Sequence, residues 1–106
     1  MVEIEEGSGN VYADLHGVDA SEMLVKARLA SKICSIITSR QLTQTQAAQL
    51  LGLTQPKVSS LMRGQFRGIS ETKMIDCLAR LGRDVQIVIR EAPATRREGR
   101  VEVIFA

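Results

Sequence analysis

Residues 44–63, QTQAAQLLGLTQPKVSSLMR, leave the chain little freedom in how it folds. Thr43 offers a hydroxyl to cap a helix, and Gln46, three residues on, completes a reciprocal capping pair. The helix QTQAAQLL then runs into Gly52, a residue suited to a left-handed turn. Thr54 can cap the next helix. Pro56 falls in its first turn, where a missing N–H costs little. That helix runs to Met62 or Arg63, and Gly64 ends it. The pattern is two short helices joined by a three-residue turn containing Gly52. Ala47, Leu51, Leu53, Val58 and Leu61 fall where a shared core would lie. Ala48 is small where the two helices cross closely.

The rest of the second helix is polar. Helical spacing puts Gln55, Ser59 and Arg63 on one face, at i, i+4 and i+8, with Lys57 and Ser60 beside them. A helix face of this kind can enter a DNA major groove. There Gln55 can bond an adenine edge, and Lys57 or Arg63 can reach guanine or phosphate. Gln44, at the start of the first short helix, can reach a phosphate while the helix dipole adds to the attraction. The competing reading is a solvated helix face, or one that docks protein instead of DNA.

Around this pair the chain divides into three stretches. Residues 1–20 are polar and acidic and read as an arm, with Val11, Tyr12 and Leu15 as candidate anchors. Residues 21–82 form the helical domain. Asp19 or Ser21 caps a long amphipathic helix to about Ser39, its stripe running through Met23, Ala27, Ala30, Cys34 and Ile37 and widened by Ile33. Ser70 caps a last helix with Met74, Cys77, Leu78 and Leu81 on one face, ended by Gly82. In residues 83–106 the period changes to two. Val85, Ile87 and Ile89 alternate with Gln86, Val88 and Arg90, and Val101, Val103 and Phe105 with Glu102, Ile104 and Ala106. The expected fold is mainly α, a bundle of four to five helices with a C-terminal two-stranded β extension. Two strands alone are marginal in water. The extension is therefore expected to form a dimer sheet with a second copy of the chain.

The charges are segregated along the chain. Residues 1–25 hold six acids and no base, and residues 26–70 hold seven bases and no acid, although the net charge is only +2. An acid-free block of this length points to a polyanionic partner. The four bases of the first helix and the residues after it divide. Arg40 can reach a DNA backbone, whereas Lys26, Arg28 and Lys32 read as solvated. With three aromatic residues and no Trp, the base-stacking surfaces of single-strand readers are not expected. No metal site or cofactor is expected: Cys34 and Cys77 lack metal-ligand spacing, and His16 is the single histidine. The cysteines read as reduced core residues, which suits a cytoplasmic protein. An enzyme is not expected, since no nucleophile–base arrangement is visible and Gly7-Ser8-Gly9 lacks a dinucleotide setting. Nor does any apolar run reach the ~18 residues of a membrane span.

The segment resembles the helix-turn-helix of the lambda-repressor-like, XRE-type class. A wider set of motifs covers roughly residues 9–90: GN-V-Y-ADL, EMLVKA, LTQ-x-x-AA-x-LLG, TQPKVS-x-L-x-RG, FRGIS and LGRDVQIVIR. Together they resemble HigA-type antitoxins and their stand-alone relatives. The resemblance implies that Gln44 grips a phosphate and braces a base-reading neighbour. It implies that Thr54, Gln55, Lys57, Ser59 and Ser60 lie on or beside recognition positions. Arg63 and the Arg67-Gly68 loop correspond to DNA-backbone contacts. Pro56 replaces a polar reader found in some phage repressors, which implies one base contact fewer. The implied function is a homodimeric repressor on a palindromic operator, acting as the antitoxin to a basic, ribonuclease-type toxin. The alternative is a stand-alone regulator without a toxin.

Overall fold

The computed structural model describes residues 17–106. Residues 1–16, with the expected anchors Val11, Tyr12 and Leu15, lie outside the described residues. Four helices follow in order: α1 (Gly17–Ser39), α2 (Gln44–Leu51), α3 (Gln55–Met62) and α4 (Glu71–Arg80). Of the described residues, Lys26–Gln86 belong to one compact unit, and 17–25 with 87–106 belong to a second.

Side-chain hydroxyls set the helix starts. At Thr43 the reciprocal pair is complete: the Gln46 N–H donates to Thr43 Oγ1 at 3.0 Å, and the Thr43 N–H donates to Gln46 Oε1 at 2.8 Å. The Lys57 N–H donates to Thr54 Oγ1 at 3.3 Å, and the Lys73 N–H to Ser70 Oγ at 3.0 Å. Each bond satisfies a backbone donor that the helix itself leaves open. At its other end α2 closes on Gly52, whose φ of 69° and ψ of 34° are left-handed. The turn between α2 and α3 is Gly52-Leu53-Thr54, three residues, as the sequence predicts.

The unit Lys26–Gln86 is built on an apolar core. Ala47 and Leu51 of α2 and Val58 and Leu61 of α3 are fully buried, joined by Met74, Cys77 and Leu78 of α4 and by Ile69 and Leu81. α2 packs on both α3 and α4. Leu53, expected in the core, is only half-buried, as is Ala48. In α1 the buried stripe is Lys26, Leu29, Ala30, Ile33, Ile36 and Ile37, while Met23, Ala27 and Cys34 sit at its edge. The stripe is rotated by about one residue from the one expected, and Lys26 falls inside it. The periodicity of this helix supports both choices, because apolar residues occur on either side of the boundary. α1 also starts at Gly17, ahead of the expected caps Asp19 and Ser21; capping preferences do not fix a helix boundary to the residue.

The expected C-terminal β extension is not formed. Among the described residues there is no strand, and residues 83–106 are irregular, with one turn closed by the Arg96 N–H on the Pro93 carbonyl at 3.0 Å. Ile87, Val88 and Ile89 are 78%, 69% and 92% exposed, so apolar side chains of both parities face water. Alternation specifies a strand only when a neighbouring strand takes up its backbone donors and acceptors. The alternation in 85–89 and 101–105 is therefore not expressed as strands among the described residues, and the expected sheet is not seen there.

Outside the core, α4 carries a three-residue ion cluster. One oxygen of Asp76 accepts from Lys73 Nζ at 3.0 Å and from Arg80 Nε at 2.9 Å. The hydrogen bond from Lys73, with that from Arg80 and the two positive charges, outweighs the opposing effect of desolvation and holds the Asp76 carboxyl below its ordinary pKa. Both cations also lie against the turn: a Cβ at Gly52 would stand 3.2 Å from Arg80 Nη1 and 3.3 Å from Lys73 Nζ. They complement the negative end of the α2 dipole.

Two outcomes follow from this geometry. Gly52→Ala should destabilise the fold by about 1–2 kcal/mol in urea unfolding, because it places a Cβ in the left-handed region. Asp76→Asn should lower the melting temperature at pH 7. A carboxyl with a lowered folded pKa stabilises above its unfolded pKa and loses that contribution as pH falls through the folded value. The difference between Asn variant and wild type should therefore shrink on acidification below about pH 4.

Candidate nucleic-acid interface

The exposed face of α3 is fixed by the buried one. Because Val58 and Leu61 point into the core, Gln55, Pro56 and Lys57 are exposed and Ser59 and Ser60 are half-buried at its border. Of the expected i, i+4, i+8 alignment, the step from Ser59 to Arg63 is present in atoms: Arg63 Nη1 donates a short hydrogen bond to Ser59 Oγ. Arg63 Nη2 reaches Gln65 Oε1 at 3.5 Å. The guanidinium is thus held between α3 and the loop that leaves it, with further N–H donors for an acceptor outside the protein. Gln65 was not among the expected site residues. No periodicity marks it, because it lies in the loop after α3 and acts only through Arg63.

Thr54 serves first as the α3 cap, so its oxygen is partly committed to the Lys57 N–H. Gln44, the first residue of α2, is exposed beside its own helix N-terminus. Lys57, Arg63 and Arg67 are exposed and have no acidic partner among the described residues. The acids that do form described ion pairs are Asp76 on α4 and Glu102, which pairs with Arg100 at 3.9 Å. The acid-free block of the sequence therefore leaves α3 and its following loop with uncompensated positive charge. Unneutralised cations beside exposed amide and hydroxyl donors suit a surface of regularly spaced phosphates.

The loop from α3 to α4 is tightly specified. The Gln65 N–H closes back on the Ser60 carbonyl at 2.8 Å, Gly64 takes a φ of 80°, and the Ile69 N–H donates to the Phe66 carbonyl at 3.1 Å. Ile69 is buried and anchors the far end. Arg67 and Gly68 form the exposed tip.

Other chemistry is thinly represented. Cys34 and Cys77 are free. Burial pushes both thiols above the ordinary cysteine value, so both are neutral at pH 7. Cys34 donates to the Leu61 carbonyl at 3.4 Å, beside a cavity of about 180 Å³ lined by Ala27, Ala30 and Phe66. No group of three potential metal ligands and no helix long and apolar enough to cross a membrane occur among the described residues.

Comparison with known proteins agrees with this geometry. The helix-turn-helix domain family matches residues 11–90. A solved structure named as an XRE family transcriptional regulator superposes with a TM-score of 0.78 at 40% sequence identity. The superposition covers 83% of this chain and 99% of that one. No curated protein matches the chain.

Proposed function

The chain belongs to the helix-turn-helix domain family and is a DNA-binding transcriptional regulator of the XRE type, and on that premise we propose that it acts as a homodimeric repressor on a palindromic operator. The observation that carries this reading is the face of α3: Gln55 and Lys57 exposed, and exposed Arg63 bonded to half-buried Ser59, on a helix whose opposite side is sealed into the core. Gln55 reads a base edge, Lys57 contacts a base or phosphate, and Ser59 and Ser60 line the groove. Arg63, Arg67 and Gln44 grip the backbone on either side, and Thr54 sets the entry angle of α3 through its cap.

A single recognition helix covers too few base pairs for an operator, and two of them reach half-sites about 34 Å apart on a palindrome. The extension 83–106 supplies the dimer contact in this reading. Its exposed Ile87, Val88, Ile89 and Ile104 expose apolar area to water that a second copy would remove. Light scattering at micromolar concentration should report a dimer, and a monomer there would remove this part of the reading.

The six acids and no base in residues 1–25 favour a further role as an antitoxin in the cytoplasm. A ribonuclease-type toxin needs a basic cleft for RNA, and an acidic arm complements it. Co-purification of a small basic protein encoded beside this chain, with loss of that association when residues 1–19 are deleted, is the expected result. Without such a partner the chain is a stand-alone regulator.

The DNA roles separate in binding assays. Gln55→Ala should cost about 1–3 kcal/mol at one base position and little on unrelated duplexes. Equal loss on every sequence would mean Gln55 is not a reader. Arg63→Ala should weaken binding to all sequences and reduce the slope of log K against log salt by about one.

A further inference from the structure

Among the described residues Lys26 is the one buried charged side chain, 9% exposed in the stripe of α1 that otherwise holds Leu29, Ala30, Ile33, Ile36 and Ile37. An ammonium in such a place is costly unless its donors are used. Its Nζ donates to the Arg67 carbonyl at 3.3 Å, across 41 residues of sequence. Arg67 sits at the exposed tip of the α3–α4 loop.

The consequence follows from peptide geometry. Among the described residues no peptide bond is cis. In a trans peptide the N–H points opposite to the C=O. With the Arg67 carbonyl drawn inward to Lys26, the N–H of Gly68 points outward. Gly68 is exposed, and a Cβ placed on it would meet nothing within 4 Å. Its N–H has no acceptor among the described residues. On the adjoining peptide, the Phe66 carbonyl is occupied by the Ile69 N–H, which orients the Arg67 N–H in the same manner. The tip therefore presents two backbone donors beside the Arg67 guanidinium.

We infer that Lys26 is a positioning residue for DNA binding: from inside the core it holds the Arg67–Gly68 peptide so that the loop meets a DNA phosphate. Lys26 touches no DNA itself. It fixes the loop that does, and so couples α1 to an interface carried by α2, α3 and the loop. This inference rests on the DNA-binding reading of Arg67 given above.

The test uses the full-length protein and a short fluorescent duplex of mixed sequence at several salt concentrations. Lys26→Met keeps the length and packing of the side chain and removes the donor. Lys26→Gln serves if the Met variant melts early. Each should weaken binding about fivefold, and Lys26→Arg, which can still donate to the carbonyl, should recover most of the loss. Arg67→Ala should weaken binding by a similar factor. The double variant Lys26→Met with Arg67→Ala should bind no more weakly than Arg67→Ala alone, since both act through one loop. The Gly68 amide resonance should shift on DNA addition in the wild type and not in Lys26→Met. A folded Lys26→Met variant that binds like the wild type, or losses that multiply in the double variant, would overturn the inference and leave the DNA-binding reading intact. A wild-type protein that binds no duplex at any salt would overturn the DNA-binding reading itself.

Discussion

The interface depends on one small patch of burial, the contact of Ala47 and Leu51 with Val58 and Leu61 between two helices of eight residues each. Helices this short are marginal on their own in water. Each large apolar side chain buried there contributes about 1.5–3 kcal/mol, and α4 and Ile69 complete the enclosure. Gly52 permits the crossing by turning left-handed, and the Thr43 and Thr54 hydroxyls fix where each helix starts. Once Val58 and Leu61 are committed inward, the direction of Gln55, Lys57 and Arg63 is no longer free. A rigid helix pair places polar side chains on DNA at low entropic cost, because the side chains are aimed before binding.

Charge is distributed with the same economy. Lys57 on α3 and Arg63 and Arg67 after it contact no acid among the described residues, while the Lys73–Asp76–Arg80 cluster lies against the α2–α3 turn. The cluster is exposed, so its contribution to stability is small. Its placement keeps that acid on α4 and sets two cations against the negative end of α2. The near-neutral net charge of +2 thus conceals a block, residues 26–70, that holds seven bases and no acid.

Much of this was legible in the sequence because it is local. Caps, turn glycines and a proline in a first turn act within four residues, and all of those in residues 43–64 appear where the pattern puts them. The apolar positions of α2, α3 and α4 follow too, except that Leu53 is half-buried. The eight expected DNA contacts divide between the ends of α2 and α3, the exposed face of α3 and the loop tip. Gln65 escaped because its contact with Arg63 is a matter of loop conformation. The C-terminal segment misled for the opposite reason. Alternation in residues 85–89 and 101–105 is a statement about what a strand could bury, and it says nothing of whether a partner strand is present.

By itself, then, the sequence determined the helix pair, its turn, its starts and the polar face of α3, because each is set by neighbours in the chain. Tertiary structure decided which side of α1 is inside and what becomes of residues 83–106. Both depend on groups far away in sequence. Lys26 reads as a solvated base until the Arg67 carbonyl, 41 residues on, is brought to its Nζ and makes burial of the charge tolerable. Ile87, Val88, Ile89 and Ile104 are exposed, because alternation along the chain cannot by itself bury a side chain that no packed neighbour covers.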